Sequence, residues 1–162
     1  MTRLKPLSAT ALAVSGGILA CLGLYFAFVR PPLLPEDLRS IGASLALIEA
    51  TIPGLPVWLH RVFRVMGGFM FASGVLTVYV AATGFRERAR GAFLVVTMAG
   101  ISSIGLMVVV NFLIDSDFKW LLLAFAFPWA CALVLYLFEP GGDHVAFTRV
   151  GDLNERRLRA KR

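Results

Sequence analysis

The chain has 162 residues, of which 58% are hydrophobic and 16% are charged, and its mean hydropathy is +0.77. This composition excludes an ordinary soluble domain. The formal net charge of +6 and the pI near 10.0 would suit a nucleic-acid-binding protein, but the lysines and arginines lie between long apolar stretches. Anionic lipid headgroups are therefore their expected contacts, and no nucleic-acid partner is predicted.

Four stretches contain no charged residue and are each long enough to cross a bilayer. A hydrocarbon core of about 30 Å requires roughly 20 apolar residues in a helix, because each residue rises about 1.5 Å and an unpaired backbone amide is costly in lipid. We therefore predict an all-α fold, a polytopic membrane four-helix bundle, within one domain at 1–139. The predicted spans built on these stretches are 7–29, 63–84, 91–114 and 119–138.

The distribution of charge between the loops predicts the orientation of the chain. If both termini lie on one side, that side, which includes the basic tail at 140–162, carries a net charge of +6, and the charges of the other side cancel. Cytoplasmic loops of membrane proteins are enriched in lysine and arginine. We therefore expect both termini and the tail in the cytoplasm, and the loop after the first span on the outer side.

Small residues recur at four-residue spacing in the apolar stretches. Gly17 lies midway between Ala13 and Cys21, and Gly68 is followed by Ala72. Such residues let helix backbones approach closely, which matters in lipid because burying apolar side chains between helices gains little there. The residues expected at helix contacts are Gly17, Gly68, Ala72, Gly100 and Ser103.

The outer segment between the first two spans predicts a further, amphipathic helix at 36–51. Apolar residues from Leu34 to Ile52 are spaced by three or four positions, so they share one helical face. Pro35 suits the first turn of a helix, and the residues 53–56, Pro-Gly-Leu-Pro, would end it. This helix either covers the top of the bundle or offers a docking face to a partner.

The spans lack the residues that usually mark ion transport or catalysis. No acidic, basic or histidine side chain lies in the centre of a predicted span, and His60 and His144 fall on opposite sides of the predicted membrane. The sequence contains no phosphate-binding loop, serine nucleophile motif or metal-ligand spacing. It therefore predicts no metal, no cofactor and no enzymatic activity.

One polar cluster remains, at the predicted outer ends of the second and third spans. Arg61 and Arg64 are about one turn apart, as are Asn111 and Asp115. As neighbours, these ends would form a shallow outward pocket for an anionic lipid head or a small acidic ligand, with Arg64 as clamp and Asn111 as hydrogen-bond donor. The alternative is structural, namely an ion pair between Arg64 and Asp115 or Asp117 that fixes the register of the helices.

The second half of the chain also carries a glycine pattern. From Arg61 onward it contains Arg64, the pair Gly67-Gly68, Gly74, a short basic turn and a third span with small residues and a polar outer end. This pattern resembles the DoxX-like group of small bacterial four-helix membrane proteins, although the outer segment is longer than expected there. The resemblance implies a four-helix bundle in a bacterial cell membrane and no catalytic residue.

Two functional hypotheses follow from the sequence. In the first, the protein is an accessory or scaffolding subunit of an inner-membrane assembly, with membrane lipids and other membrane subunits as partners. In the second, it is a lipid- or small-ligand-binding or transport protein that uses the outward-facing polar cleft. A stoichiometric lipid that copurifies with the protein would favour the second hypothesis.

Overall fold

The computed structural model describes residues 6–139, and all regular structure in this range is helical. The predicted basic tail at 140–162 lies outside the described residues. The helices are α1 (Leu7–Phe28), α2 (Pro35–Ile41), α3 (Leu45–Thr51), α4 (Leu55–Val80), α5 (Ala92–Gly100), α6 (Leu106–Leu113) and α7 (Lys119–Phe138). Two π-helical segments, Ala81–Phe85 and Ile101–Gly105, extend α4 and join α5 to α6 into one α5–α6 span.

Four helical units are long and apolar enough to cross a membrane, namely Leu7–Phe28, Leu55–Phe85, Ala92–Leu113 and Lys119–Phe138. The prediction of an all-α fold with four long apolar helices is confirmed. The second unit begins well before residue 63, the predicted start of that span, because Pro56 fits the first turn of a helix, where its missing N–H costs no hydrogen bond. The residues around Arg61 therefore belong to α4 rather than to a loop.

Side-chain contacts define two ends of the bundle. At the first, which we call the α2 end, the Ser116 hydroxyl before α7 donates a hydrogen bond to Glu36 of α2 at 3.3 Å. At the second, which we call the terminal end, the backbone N–H of Ser8 in α1 donates to the Glu139 carboxylate after α7 at 2.9 Å. α1 and α7 therefore run in opposite directions.

Glu139 and Arg88 join three chain segments at the terminal end. The Glu139 carboxylate accepts hydrogen bonds from both the backbone N–H and the hydroxyl of Ser8, so it caps the first turn of α1 from another helix. Arg88 donates to the carbonyls of Tyr136 and Glu139 at 2.7 and 2.6 Å. The backbone of Arg88 has a φ of 55°, a conformation that non-glycine residues hold only when their surroundings fix it.

Fully buried side chains are few and concentrate toward the terminal end. Leu12 and Ala132 are completely buried, and Phe85 is 1% exposed. Along the long helices many large apolar side chains face outward, for example Phe69 at 72% and Leu113 at 79% exposure. Such a surface is unfavourable in water and suits hydrocarbon, as expected of helices that are long and apolar enough to cross a membrane.

The closest helix packing joins α1 to α4 through glycines on both helices. Gly16 and Gly23 of α1 face Gly74 and Gly67 of α4 in antiparallel order. A Cβ built at Gly67 would lie 2.5 Å from both the backbone nitrogen of Ala27 and the carbonyl oxygen of Gly23. The two backbones can approach this closely only because hydrogen atoms replace side chains at these positions.

The glycines adjacent to these in sequence point away from the contact. A Cβ at Gly17 or Gly68 would meet no heavy atom within 4 Å, and Ala72 is exposed. The four-residue spacing predicts contacts at these three residues, but the glycines in contact are seven residues apart on each helix. One residue turns a helix by about 100°, so Gly16 and Gly67 face the partner helix while their neighbours do not.

Gly100 lies at a second close contact, between the α5–α6 span and α7. The indole of Trp129 covers it, and a Cβ at Gly100 would lie 2.0 Å from the indole Nε1. The same indole N–H donates to the carbonyl of Val96 at 3.2 Å. This contact fixes the α5–α6 span against α7.

The amphipathic helix predicted at 36–51 is instead two short helices. The first, α2, ends at Gly42, whose φ of 73° is left-handed, and α3 starts after Ser44, whose hydroxyl accepts a backbone N–H at 3.2 Å. The break between them divides the predicted apolar face. Ile48 is 7% exposed, whereas Ile41 is 58% exposed, so these residues do not line one buried surface.

Candidate functional site

A cavity of about 750 Å³ lies between the four long helices beneath α2. Apolar side chains from α1, α4, α6 and α7 form most of its walls, for example Leu22, Phe63, Met107 and Leu121. The polar residues that line it are Tyr25, Arg30, Glu36, Asp37, Ser102, Ser103 and Asn111. Apolar walls with a few polar groups are typical of a site for a small ligand.

The cavity exists because α4 and α6 do not pack closely against each other. The glycine contact holds α4 against α1, and α6 packs on α7. Phe63 and Met66 line the resulting space from α4, and Met107 and Val110 line it from α6. The site therefore lies between two helix pairs, α1 with α4 and α6 with α7.

Arg30, just after α1, holds α2 over the cavity. One guanidinium nitrogen, Nη2, donates to Asp37 Oδ2 at 2.9 Å, and the other, Nη1, donates to the carbonyl of Pro31 at 3.0 Å. The guanidinium carbon lies 3.8 Å from the ring centroid of Phe63 and 5.3 Å from that of Phe26. These contacts offset the cost of removing the Arg30 cation from water, since this residue is only 8% exposed.

Glu36 is the most deeply buried charged residue in the described range, at 3% exposure, and it lines the cavity. Its Oε1 accepts a hydrogen bond from the Ser116 hydroxyl at 3.3 Å. The Ser116 oxygen itself accepts the backbone N–H of Phe118 at 3.2 Å. Within residues 6–139 no other hydrogen bond reaches the Glu36 carboxylate, which leaves Oε2 available to a ligand.

The polar groups of the α5–α6 span present acceptors to the cavity. The Asn111 side-chain amide donates one of its two N–H groups to the Met107 carbonyl at 2.8 Å, and its oxygen is free to accept a hydrogen bond. The hydroxyls of Ser102 and Ser103 donate to the helix carbonyls of Met98 and Ala99 at 2.9 and 2.6 Å. Their oxygens keep lone pairs that can accept a further hydrogen bond.

Of the four residues predicted to bind a ligand, Asn111 alone lines this cavity. Arg61 lies instead in a shallow apolar groove on the outside of α4, beside Val65 and Phe69. Arg64 is exposed and forms no ion pair within residues 6–139. Phe63, next to Arg64 in the sequence, faces the cavity, and a rotation of about 100° per residue directs Arg64 elsewhere.

The predicted pairing of Arg64 with an aspartate is not formed. Asp115 is exposed and pairs with Lys119, one turn along the chain, and this hydrogen bond lowers the pKa of the Asp115 carboxyl. Asp117 pairs with Arg39 of α2 at 2.8 Å, and this hydrogen bond raises the pKa of the Arg39 guanidinium. The aspartates before α7 therefore serve local contacts at the α2 end.

The charged residues that cover the cavity, Arg30, Glu36 and Asp37, are not among the residues predicted from the sequence to bind a ligand. In the sequence they only follow the first apolar span and begin the next helix. Ser103, predicted as a packing residue, lines the cavity. Among the described residues, no group of three or more histidine, cysteine, aspartate and glutamate side chains has the arrangement of a metal site.

Comparisons with known proteins assign no family, since no family model matches the chain, and no curated protein or solved structure matches it. The resemblance to the DoxX-like group therefore stays a prediction based on the glycine pattern. Function has to be argued from the cavity and its lining residues.

Proposed function

We propose that this protein is an integral membrane protein that binds an amphiphile in the cavity beneath α2. The observation that carries the proposal is the cavity of about 750 Å³, which lies within the range of roughly 300–1,000 Å³ found for small-molecule sites. Its apolar walls suit a hydrocarbon tail, and its polar α2 end suits a head group. This develops the second sequence-based hypothesis and requires no catalytic residue.

The depth of the cavity indicates the length of the tail. Along the α5–α6 span its lining extends from Ser102 to Ile114, which is roughly 18 Å at a rise of about 1.5 Å per residue. Carbon–carbon single bonds of about 1.5 Å advance an extended alkyl chain by roughly 1.3 Å each. A tail of about twelve carbons together with its head group would therefore fill the cavity, so dodecyl compounds are suitable probes.

We further propose that the protein lies in a bacterial inner membrane with both termini in the cytoplasm. The excess of lysine and arginine on the side of the termini supports this orientation, and the DoxX-like glycine pattern supports a bacterial membrane. In this orientation the α2 end faces outward, and the cavity lies at the depth of the outer leaflet. An amphiphile would then enter from that leaflet between α4 and α6.

Photo-labelling tests the proposal directly. The full chain is placed in phosphatidylcholine nanodiscs, mixed with dodecanol that carries a diazirine at the end of its tail, irradiated and digested for peptide mass spectrometry. We expect labels on residues of the deep part of the cavity, such as Leu19 and Met70. Excess unlabelled dodecanol should remove these labels, because binding to one cavity is saturable.

Two tryptophan substitutions on α6 provide the control. Met107→Trp fills the cavity, whereas Val109→Trp changes a residue that is 54% exposed and does not line it. We expect Met107→Trp to remove most of the label from Met70 and Val109→Trp to leave it in place. Equal labelling in the two variants, or labels confined to outward-facing residues of the wild type, would refute the proposal.

The accessory-subunit hypothesis stays a prediction. It was based on the outer amphipathic segment and on the basic tail, which lies outside the described residues. In the described part of the chain, α2 contacts Arg30 and Ser116 through its acidic residues, so this side of α2 is already occupied. These contacts favour a cover over the cavity rather than a docking face.

A further inference from the structure

We infer that the cavity selects an amphiphile whose head is a positively charged hydrogen-bond donor, such as a long-chain primary amine, and that Glu36 receives this head. The inference rests on the proposed function, because it specifies the ligand of the same cavity. It also reverses the expectation of an anionic ligand held by Arg64. The charges of the α2 end, the acceptors of the cavity and the contacts of Arg30 support it independently.

Glu36 is a buried carboxylate that forms no ion pair within residues 6–139. Three other carboxylates of the α2 end do form one, namely Asp37 with Arg30, Asp117 with Arg39 and Asp115 with Lys119. The negative charge of Glu36 is one cause that raises the pKa of Arg39, but the Arg39 side chain is 54% exposed and is paired with Asp117. A buried carboxylate without a close cation is costly, so a ligand ammonium group would gain a strong interaction there.

The α2 end of the cavity offers acceptors to a donor head, because Glu36 offers Oε2 and Asn111 offers its side-chain oxygen. Ser102 and Ser103 lie at the deep end of the cavity, beside the tail. A primary ammonium head has three donors and no acceptor. Charge-assisted hydrogen bonds to Glu36 would therefore hold an amine more tightly than an alcohol with the same tail.

Arg30, the one cation among the cavity-lining residues, is not available to an anionic head. Its guanidinium donates to Asp37 and to the carbonyl of Pro31, and the ring of Phe63 covers it at 3.8 Å. A carboxylate or phosphate that approached it would have to displace Asp37 and would lie near the Glu36 carboxylate. Repulsion between like charges then disfavours an acidic amphiphile.

Competition against the photo-label tests the head preference. Wild-type protein in phosphatidylcholine nanodiscs is labelled with the diazirine-bearing dodecanol in the presence of dodecylamine, dodecanol or dodecanoic acid. We expect dodecylamine to compete at a concentration about tenfold lower than dodecanol, as one charge-assisted hydrogen bond implies, and dodecanoic acid to compete least. This comparison requires no substitution, so it does not depend on how a variant folds.

Glu36→Gln identifies the residue that sets the preference, and Asp115→Asn is its control. Both remove one carboxylate from the α2 end, but Asp115 is exposed and outside the cavity. We expect Glu36→Gln to abolish the amine preference while labelling by the dodecanol probe persists, and Asp115→Asn to retain the preference. Amphiphiles attracted only by surface charge would lose the preference in both variants.

The possible results separate the inference from the proposed function. If the three heads compete equally for labels in the wild-type cavity, the amphiphile site stands and the inference about its head is wrong. If the amine preference survives in Glu36→Gln, the assignment to Glu36 is wrong. If the wild type shows no saturable label in the cavity, the proposed function fails, and the inference fails with it.

Discussion

Replacing Gly67 by alanine tests the close packing of α1 on α4, which holds one side of the cavity in place. A Cβ at this position would lie 2.5 Å from the backbone nitrogen of Ala27 and from the carbonyl oxygen of Gly23. Ordinary contact starts at 3.4 Å, and both neighbours are backbone atoms, which cannot rotate away. The two helices would therefore have to separate locally by about 1 Å.

The size of the effect follows from two opposing contributions. Alanine favours a helix over glycine by up to about 1 kcal/mol, and overpacking of a tight contact costs roughly 1–3 kcal/mol. We expect Gly67→Ala to lower the free energy of unfolding by about 1–2 kcal/mol. Gly68→Ala gains the same helix propensity but meets no atom within 4 Å, so it should leave stability unchanged or slightly raised.

Unfolding in mixed micelles of phospholipid and detergent, titrated with sodium dodecyl sulfate and followed by circular dichroism, measures both variants under the same conditions. Because the two glycines are adjacent, the difference between the unfolding midpoints of the two variants excludes effects that both substitutions have on helix propensity and lipid partition. Equal midpoints for Gly67→Ala and Gly68→Ala would refute the packing described here. A lower midpoint for Gly68→Ala alone would indicate that α4 is rotated by one residue.

Three further substitutions test other parts of the structure. Glu139→Ala removes the acceptor for the Ser8 N–H and should lower the free energy of unfolding by about 1–2 kcal/mol in the same titration, as the loss of a helix cap does. Gly100→Ala places a Cβ 2.0 Å from the Trp129 indole, so the tryptophan emission should shift as the ring moves, and an unchanged spectrum would contradict the contact. The hydrogen bond with Lys119 lowers the pKa of Asp115 from 3.8. The Asp115 carboxylate therefore adds a small contribution to the free energy of unfolding above pH 3.8, and this contribution is lost as the pH falls through the lowered pKa. In the same titration, Asp115→Asn should lack this part of the pH dependence.

The four long helices were predictable because the property that defines them is local. A charge-free stretch of about twenty residues has few alternatives in a chain of this hydropathy. The helix that contains the span predicted at 63–84 starts earlier, at Leu55, because a helix can extend beyond the apolar stretch and Pro56 fits its first turn. The break within 36–51 also had local signals, a glycine at 42 and a serine cap at 44, but the apolar periodicity masked them.

The helix contacts and the cavity were not predictable in the same way. Gly67 and Gly68 are identical in type and adjacent, so only the position of the partner helix decides which one forms the contact. The pair of Arg30 and Asp37 depends on how the chain turns after α1, and the burial of Glu36 depends on where α7 begins. These features arise from tertiary packing, which the sequence pattern does not encode locally.

Equilibrium binding of radiolabelled dodecylamine to the full chain in phosphatidylcholine nanodiscs tests the central claim most directly. After subtraction of uptake by empty nanodiscs, binding to the wild type should saturate at about one molecule per chain, because one cavity of about 750 Å³ holds one tail. Met107→Trp should abolish the saturable part, and Val109→Trp should retain it. Uptake that never saturates and is the same in all three proteins would show that the amine only partitions into the bilayer, and would contradict the account.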